Sequence, residues 1–330
     1  MRITTIALLI LTCSARLTFG QTYAEMLGFP KGSRVLILHV DDAGMSLDSN
    51  DGAIRAMEKG VANSVSVMMP CPWVPGFVQY LKQHPATDAG LHLTLTSEWD
   101  LYRWGPLSGK PAVPGLVDEE GALWGSVEDV VKHATPEEVD AEIRAQLSRA
   151  KGMGFEPTHL DSHMGTLFAS PPFMQKYIQL GIENKIPVMM PGGHNTMIGK
   201  LLNSTPELQA QLQAVGKSLW AAGLPVLDDL HNASYDWKYP GDKKDDDVAL
   251  QKFVTSKYIE TIRTLKPGLT MVIMHCTVPS KTFEMISNSG TTRKGDMLAM
   301  TDPAFKKFLE SEGIILTTWR EVMKRRQEVK

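Results

Sequence analysis

Residues 35–44, with the sequence VLILHVDDAG, contain the pattern that decides the fold. The run from Val35 to Val40 is apolar apart from one histidine, and such a run is typical of a parallel strand that is buried on both faces. Asp41 and Asp42 follow it directly. Since successive strand residues point to opposite faces, one carboxylate can bind a metal ion while its neighbour stays free as a base. An Asp-rich turn is the alternative interpretation of the pair.

Predicted strands and helices alternate along the rest of the chain. Further strands are predicted at 64–69, 89–93, 158–161, 187–190, 225–227, 269–274 and 314–318, and helices at 47–59, 74–83, 136–153, 172–183, 198–222, 248–265 and 303–312. This alternation indicates parallel βα units. We therefore predict an α/β fold, a single-domain (β/α) barrel of seven or eight parallel strands, closed or incompletely closed, with its site at the carboxyl ends of the strands. An open doubly wound sheet is the alternative, although no Gly-rich phosphate motif follows the first strand.

The first twenty residues have the pattern of a secretory signal peptide. Arg2 precedes an apolar run at 6–11, and small or neutral residues at 18–20 precede Gln21. We predict cleavage near Gly20, which leaves residues 21–330 as one domain that is exported to the periplasm or secreted. No stretch approaches the roughly 20 consecutive apolar residues of a membrane-spanning helix, so the mature chain is predicted not to span a membrane.

Charge and cysteine content limit the classes of partner. The formal charge of −3 becomes two units more negative without Arg2 and Arg16, and acidic and basic residues are mixed along the chain. This predicts no nucleic-acid partner. Beyond the leader only Cys71 and Cys276 remain, which an exported protein could hold as one disulfide or as two buried thiols. The oligomeric state cannot be inferred from these features.

Histidine and aspartate residues follow most of the predicted strands. They are Asp41 and Asp42, His92, Asp161 and His163, His194, Asp228, Asp229 and His231, and His275. A parallel barrel would bring these side chains together at one end. One histidine at a strand end is more often a packed, hydrogen-bonded residue than a ligand. The prediction of a site therefore depends on the set as a whole.

The run HLDSH at 159–163 would place its two histidines and its aspartate on one face if the chain stays extended. Two imidazoles and a carboxylate suit a first-row divalent ion with open coordination positions. We predict Asp42, His92 and His163 as ligands of one divalent metal ion, with Asp161 or His159 orienting a ligand imidazole. This donor set favours Zn²⁺.

His275 and Arg293 complete the candidate site. His275 ends the apolar strand 269–274, and we predict it to be the general acid. Arg293 and Asp296 either form a helix-surface pair or, alternatively, Arg293 reaches the site and orients Asp41. A long irregular insert at 96–130 follows the third strand and carries the aromatic residues Trp99, Tyr102, Trp104 and Trp124.

Four sequence features, taken together, resemble the YdjC-like carbohydrate deacetylases, a branch of the broader polysaccharide deacetylase group. They are VDDAG at 40–44, GLHLTL at 90–95, PTHLDSH at 157–163, and the His275 strand followed by Arg293 and Asp296. The resemblance covers nearly all of residues 21–330. It implies a β/α barrel, removal of an N-acetyl group from an amino sugar or oligosaccharide, a divalent metal held by Asp42, His92 and His163, and Asp41 as the general base. The family resemblance also allows Mg²⁺ as the metal. Of the aromatic residues in the insert, Trp99 and Trp104 are predicted to stack on the sugar ring or else to fix the loop to the barrel.

The sequence departs from the family pattern at three places. Residues 164–166 replace further histidines, Cys276 replaces a proline, and Ala43 replaces a phenylalanine. The particular sugar is therefore not implied. Two alternative functions stay open: a catalytically altered carbohydrate-binding barrel, or another metallohydrolase on the same scaffold. The presence of both Asp41 and His275 argues against binding alone, and the scarcity of Lys and Arg at the strand ends argues against a phosphorylated substrate.

Overall fold

A computed structural model describes residues 20–241 and 247–329, so of the predicted leader only Gly20 is described. Its strands are β1 (Arg34–Ala43), β2 (Ser64–Val67), β3 (Ala89–Leu93), β4 (Leu160–Ser162), β5 (Asp229–His231), β6 (Gly268–Met274) and β7 (Ile315–Leu316). Its helices are α1 (Tyr23–Met26), α2 (Leu47–Glu58), α3 (Val74–Gln83), α4 (Val127–His133), α5 (Pro136–Gly152), α6 (Pro171–Asn184), α7 (Thr196–Leu201), α8 (Pro206–Ala221), α9 (Asp247–Arg263), α10 (Lys281–Ile286), α11 (Gly290–Met300), α12 (Pro303–Ser311) and α13 (Trp319–Glu328).

The seven strands form one parallel sheet that curls into a barrel. Six of them lie in the order β4-β3-β2-β1-β6-β5, and β7 pairs with the first residues of β1. Between the two edges of this path lies the segment 188–191, which in the described residues is joined to them by two isolated parallel bridges, Leu160 with Val188 and Pro191 with Leu227. The predicted α/β barrel of parallel strands, incompletely closed, is therefore confirmed.

β1 is the central strand of this barrel. It pairs with β6 on one side and with β2 and β7 on the other. Its even-numbered residues Leu36, Leu38 and Val40 belong to the core between sheet and helices, whereas Val35 and Ile37 belong to a second core inside the barrel. Alternation along β1 therefore points residues 35, 37, 39 and 41 toward the barrel axis.

The backbone departs from this alternation at Asp42. The pairing register of β1 with β2 shifts between Val40 and Ala43, and Asp42 has a φ of 67°, in the left-handed region. A bulge of this kind inserts one residue and redirects the side chain that follows it. Asp41 and Asp42 consequently both face the barrel interior, and the expectation that they point to opposite faces is wrong.

Several predicted elements differ from the structure. The segments at 187–190 and 225–227 make only the isolated bridges that close the barrel, while β5 begins two residues after the latter. The helix predicted at 198–222 is split into α7 and α8 by a turn that contains Asn203 with a φ of 47°. Short-range patterns did not reveal α4, α10, α11 or α13, whose positions depend on packing against the barrel.

Both cysteines of the described residues are buried free thiols, so Cys71 and Cys276 do not form the disulfide that the sequence allowed. The free thiols were the second of the two alternatives. Among the described residues, no helix has both the length and the apolar character needed to cross a bilayer.

Candidate metal centre and active site

Three predicted ligands converge at the carboxyl ends of β1 and β3 and just beyond β4. Asp42 Oδ1 lies 3.3 Å from His92 Nε2 and 3.3 Å from His163 Nδ1. All three residues are buried, and one donor atom of each lies within 4.8 Å of the other two. Asp42 Oδ1 has no hydrogen-bond partner, although it is buried. A buried, unpaired carboxylate oxygen facing two imidazole nitrogens is the arrangement expected of a divalent metal site.

The outer nitrogen of each ligand histidine is held by a carboxylate. Asp161 Oδ1 lies 2.6 Å from His92 Nδ1, and Glu98 Oε1 lies 2.9 Å from His163 Nε2. Such partners fix the tautomer and the ring orientation, so that the inner nitrogens present lone pairs to a metal. Asp161 is therefore placed as its predicted role requires, that of orienting a ligand imidazole. The same role of Glu98 was not predicted, because Glu98 lies in the irregular insert, where no periodic pattern indicates which way a side chain points.

Arg293 is buried beside Asp42. Its Nη1 donates to Asp42 Oδ2 at 2.7 Å, and its Nε donates to Ser289 Oγ at 2.9 Å. Burial raises the pKa of Asp42, but the charge of Arg293 and the nearby imidazoles of His163 and His92 outweigh this and hold that pKa well below its usual value. Asp42 is therefore ionised at neutral pH.

Of the two predicted interpretations of Arg293, the helix-surface pair is wrong, whereas Arg293 does reach the site, although at a different aspartate from the one predicted. Arg293 does not pair with Asp296 on a helix surface, because both residues are buried, and it contacts Asp42 rather than Asp41. Asp296 instead accepts hydrogen bonds from the hydroxyls of Tyr258, at 2.7 Å, and Ser234, at 3.2 Å. It also accepts one from the backbone N–H of His275 at 3.0 Å. It therefore fixes the chain that carries His275.

Asp41 lies beside the ligand triad. Its Oδ2 lies 3.7 Å from His92 Nε2 and 3.8 Å from His275 Nε2, whereas its Oδ1 lies 3.1 Å from His39 Nε2. His39 thus holds Oδ1 of Asp41 in place, and Oδ2 faces the cavity between the imidazoles of His92 and His275. This position suits a base that removes a proton from a molecule bound in the cavity.

His39 bridges two carboxylates beneath the ligand triad. Its Nε2 lies 2.9 Å from Asp161 Oδ2 as well as 3.1 Å from Asp41, and Ser64 Oγ lies 3.0 Å from its Nδ1. Burial lowers the pKa of His39, but its hydrogen bonds with Asp161 and Asp41 outweigh burial and raise this pKa to about 9. The sequence did carry a signal for this residue, because His39 lies on the inward-facing alternation of β1, two residues before Asp41.

His159 lies at the bottom of the same column of side chains. Its Nε2 is 3.9 Å from Asp161 Oδ2, and its ring stacks on Trp319 with centroids 5.3 Å apart. His159 Nε2 has no hydrogen-bond partner, so of the two residues predicted to orient a ligand imidazole only Asp161 makes that contact. The prediction that 159, 161 and 163 share the barrel interior agrees with this arrangement.

His275 faces Asp41 across the site and packs edge-on against Tyr235, with centroids 4.5 Å apart. Burial is the main influence on its pKa and lowers it to about 4, against the opposing charges of Asp42 and Asp41. His275 is therefore neutral at pH 7 in this environment. With this pKa, His275 carries no proton to donate before the reaction, so the predicted role of general acid requires that it first receives one.

The two insert tryptophans predicted to stack on a sugar have different surroundings. Trp99 lines the cavity and lies 5.9 Å from the guanidinium carbon of Arg293, measured to the ring centroid. Trp104 is only 5% exposed, donates from Nε1 to the carbonyl of Thr96, and packs edge-on against Trp99. The prediction that Trp104 stacks on a sugar is therefore wrong, and Trp104 holds the loop, which leaves Trp99 as the candidate stacking residue.

Two predicted rim residues lie at the opposite end of the barrel. His194 Nε2 is 3.2 Å from the carbonyl of Pro267, which precedes β6, and Asp228 accepts from the backbone N–H of Leu269, at the start of β6, at 2.8 Å. Asp229 caps α7 through the N–H groups of Met197 and Ile198. These residues stabilise the fold and do not contribute to the metal centre.

Comparisons with known proteins identify the family of this chain. The family model described as YdjC-like protein matches residues 35–311, which is most of the chain. The chain belongs to the YdjC-like family. A carbohydrate deacetylase from Thermus thermophilus is 29% identical over 293 residues, covering 88% of this chain and 94% of the relative. A chitooligosaccharide deacetylase from Yersinia enterocolitica is 31% identical over 137 residues, covering 39% of this chain and 49% of the relative.

A crystal structure from Enterococcus faecalis, of a protein to which cellobiose-phosphate cleavage has been ascribed, has the same fold. It aligns with a TM-score of 0.69 at 19% identity and covers 88% of this chain and 99% of that one. At this identity the likeness concerns the fold alone. The YdjC-like family and the barrel that the sequence predicted are thus both confirmed.

Proposed function

We propose that this YdjC-like chain is a metal-dependent carbohydrate deacetylase, which hydrolyses the N-acetyl group of an amino sugar or oligosaccharide. The proposal rests on the arrangement of four side chains at one end of the barrel, of which three face a common centre and the fourth does not. Asp42, His92 and His163 present donor atoms to a common centre, while Asp41 Oδ2 stays outside that set and faces the cavity. Relatives named carbohydrate deacetylase and chitooligosaccharide deacetylase support the same reaction class.

The donor set fits a divalent metal. Two neutral imidazoles and one carboxylate leave coordination positions open and favour Zn²⁺, whereas Mg²⁺ prefers oxygen ligands. When bound, such an ion polarises the acetamide carbonyl and lowers the pKa of a coordinated water. Because Glu98 and Asp42 raise the pKa of His163 to about 9 although burial lowers it, protons compete for this ligand, and metal binding should weaken as the pH falls.

The residues of the chain itself supply proton transfer and orientation. Asp41 Oδ2 takes the proton of the attacking water, while His39 holds the other oxygen of Asp41 in place. His275 Nε2, 3.8 Å from Asp41 Oδ2, is neutral at the start of the reaction and can receive that proton and pass it to the departing amine. The amine leaves only once it is protonated, so this transfer completes the hydrolysis.

Acetate release tests the proposal directly. We expect the chain, supplied with Zn²⁺ or Mg²⁺, to release acetate from at least one sugar in a panel of N-acetylated monosaccharides and oligosaccharides. Asp41→Asn should abolish release and keep the bound metal, because Asp41 is not in the ligand triad. Asp51→Asn, at an exposed position of α2, is the matched control and should retain activity.

Two results would contradict this assignment. Loss of metal in Asp41→Asn would make Asp41 a ligand rather than the base. Absence of acetate from the entire panel with metal bound would favour a carbohydrate-binding barrel without catalysis. Release of phosphate from phosphorylated sugars in the absence of acetate release would instead favour another hydrolase on the same scaffold.

We also propose that the protein is exported. The basic residue Arg2 and the apolar run 6–11 support this location. Expression of the full chain in a bacterial host, followed by fractionation and N-terminal sequencing, should find a mature form in the periplasm or medium that begins near residue 21. An intact N-terminus in the cytoplasm would contradict export.

A further inference from the structure

The candidate active site opens into a cavity of about 990 Å³ whose two ends differ in chemistry. At one end lie the ligand triad, Asp41, His275 and Arg293. The opposite wall is formed by the chain beyond β4 and by α6, α7, α8 and β5. Its lining is apolar, with Phe168, Met174, Met189, Leu201, Leu212 and Leu230 as representative members. In this wall Gln211 is the single polar side chain among the described lining residues.

An amino sugar alone does not suit the apolar wall. A pyranose ring carries several hydroxyl groups, and each needs a hydrogen-bond partner once it is removed from water. Polar partners are available near the metal centre, where Asn232, Asp236 and Asn288 also line the cavity. The apolar wall offers almost none, so a sugar chain extending along it would lose hydrogen bonds without replacement.

Apolar side chains are also exposed at the mouth of this cavity. Met164, Leu201 and Leu202 are 50%, 40% and 54% exposed, and all three line the cavity. Large apolar residues in one concave, water-facing patch indicate a binding surface, because their contact with water is unfavourable until a ligand covers it. The concentration of these side chains in a single cavity distinguishes them from scattered exposed residues elsewhere on the surface.

We infer that the substrate is amphipathic: an acylated amino sugar that carries a hydrocarbon chain, with the sugar amide at the metal centre and the chain along the apolar wall. This inference rests on the proposed function and names its substrate class. The chain could be attached through the amide nitrogen, as a longer acyl group, or through the anomeric oxygen, as an apolar aglycone. Both attachments present the same chemistry to the wall.

Binding measurements separate this inference from catalysis. The full chain with Asp41→Asn, loaded with Zn²⁺, is titrated calorimetrically with methyl and hexyl glycosides of N-acetylglucosamine, and with N-acetyl- and N-hexanoylglucosamine. Full burial of a methylene strengthens binding by about fourfold, and partial burial by less. We expect at least one hexyl or hexanoyl compound to bind about tenfold or more tightly than its short partner. The series that gains affinity identifies the point of attachment.

Two variants of the apolar wall test whether the hydrocarbon chain of the ligand binds there. Leu212→Asn and Met174→Gln place polar groups in the apolar wall, and each should reduce the long-to-short affinity ratio several-fold. Met285→Gln, on α10 at a 67% exposed position outside the cavity lining, is the matched control and should keep the ratio. A circular dichroism spectrum and thermal melt of each variant show whether it is folded.

Equal affinities within both series, or no binding of the chain-bearing sugars, would overturn the inference. An unchanged long-to-short affinity ratio in both folded wall variants would overturn it as well, because the hydrocarbon chain would then bind elsewhere. Acetate release from the methyl glycoside by the unmodified chain tests the proposed function independently. A failure to recognise the hydrocarbon chain of the ligand can therefore be distinguished from a failure of deacetylation.

Discussion

At the residue scale, the side-chain direction of Asp42 determines the chemistry of the site. Asp42 would point away from the barrel axis in a regular strand, and its φ of 67° brings it back toward His92. A non-glycine residue in this region is strained, although aspartate tolerates it better than most residues. Such strain is retained where surrounding contacts compensate it. The buried ion pair with Arg293 supplies that compensation here.

Removal of either ligand histidine should reduce metal binding. His92→Ala and His163→Ala each remove one of three donors, and we expect zinc content after dialysis to fall at least about tenfold. His84→Ala, at an exposed position with no part in the centre, is the control and should retain full zinc content. Full occupancy in either ligand variant, measured by atomic emission, would refute the ligand assignment.

The pH dependence of stability should reveal the His39 bridge. The pKa of His39 is about 9 in the folded chain and 6.5 ordinarily, so the folded state favours the protonated form. Its contribution to the free energy of unfolding is complete below pH 6.5 and is lost as the pH rises through 9. The stability difference between the unmodified chain and His39→Gln should therefore shrink from about pH 6 to above pH 9, measured by urea denaturation with a chelator present.

His159→Gln is the matched control for this pH series. Burial and the neighbouring charge of His39 hold the pKa of His159 well below its ordinary value, so this histidine is neutral on both sides of unfolding at alkaline pH. Its stability difference should stay constant above about pH 7.5. A His39→Gln difference that is constant or grows with pH would show that His39 does not carry the charge between Asp41 and Asp161.

Close packing of neighbouring strands fixes the site at the element scale. His92 on β3 is in register with Asp161 on β4, so the hydrogen bond between these side chains follows from strand pairing. Gly90, two residues earlier on β3, allows the His159 ring to lie against the strand. A Cβ at position 90 would lie 2.5 Å from His159 Nε2. The pairing of β3 with β4 and the packing of His159 against β3 thus together set the position of His92, the predicted metal ligand.

Gly90→Ala should destabilise the chain. The His159 ring cannot move away freely, because Trp319 stacks on its other face. Overpacking of this kind costs about 1–3 kcal/mol, and the displaced β3 should also weaken metal binding through His92. Gly152→Ala, where an added Cβ meets nothing within 4 Å, is the control and should be neutral or slightly stabilising. Equal unfolding free energies for the two variants, from urea denaturation, would contradict this account.

An uneven barrel is the main feature at the scale of the whole molecule. β1 and β6 pair over seven residues, whereas closure between β4 and β5 depends on two isolated bridges through residues 188–191. The apolar wall of the cavity lies on this weakly closed side. Met189, Met190 and Pro191 of this closure line the cavity, so the ligand cavity lies where the barrel has the fewest strand hydrogen bonds.

Hydrogen exchange should show that the closure between β4 and β5 opens more readily than the centre of the sheet. Amides of Met189 and Leu227, which donate across the closure to the carbonyls of Leu160 and Met190, are expected to exchange at least about tenfold faster than amides in the centre of β1 and β6. Local opening of two bridges breaks few bonds, whereas opening β1 disrupts the core. Equal protection of both regions in a mass-spectrometric exchange series would show that the closure is as stable as the central strands.

The sequence by itself determined the barrel, the order of the site residues and most of their identities. Apolar strands that end in aspartate or histidine report both the parallel sheet and the end at which the site forms, since the carboxyl ends of parallel strands meet. Asp41, Asp42, His92, Asp161, His163 and His275 were accessible in this way.

Only the tertiary structure decided how these side chains are used. The bulge at Asp42, the pairing of Arg293 with Asp42, the contact of Glu98 with His163 and the burial of Trp104 each depend on contacts between residues far apart in the chain. The low pKa of His275 and the apolar wall likewise arise from burial and from the packing of several helices. Local periodicity reports which face a residue occupies, but it does not report which distant residue that face will meet.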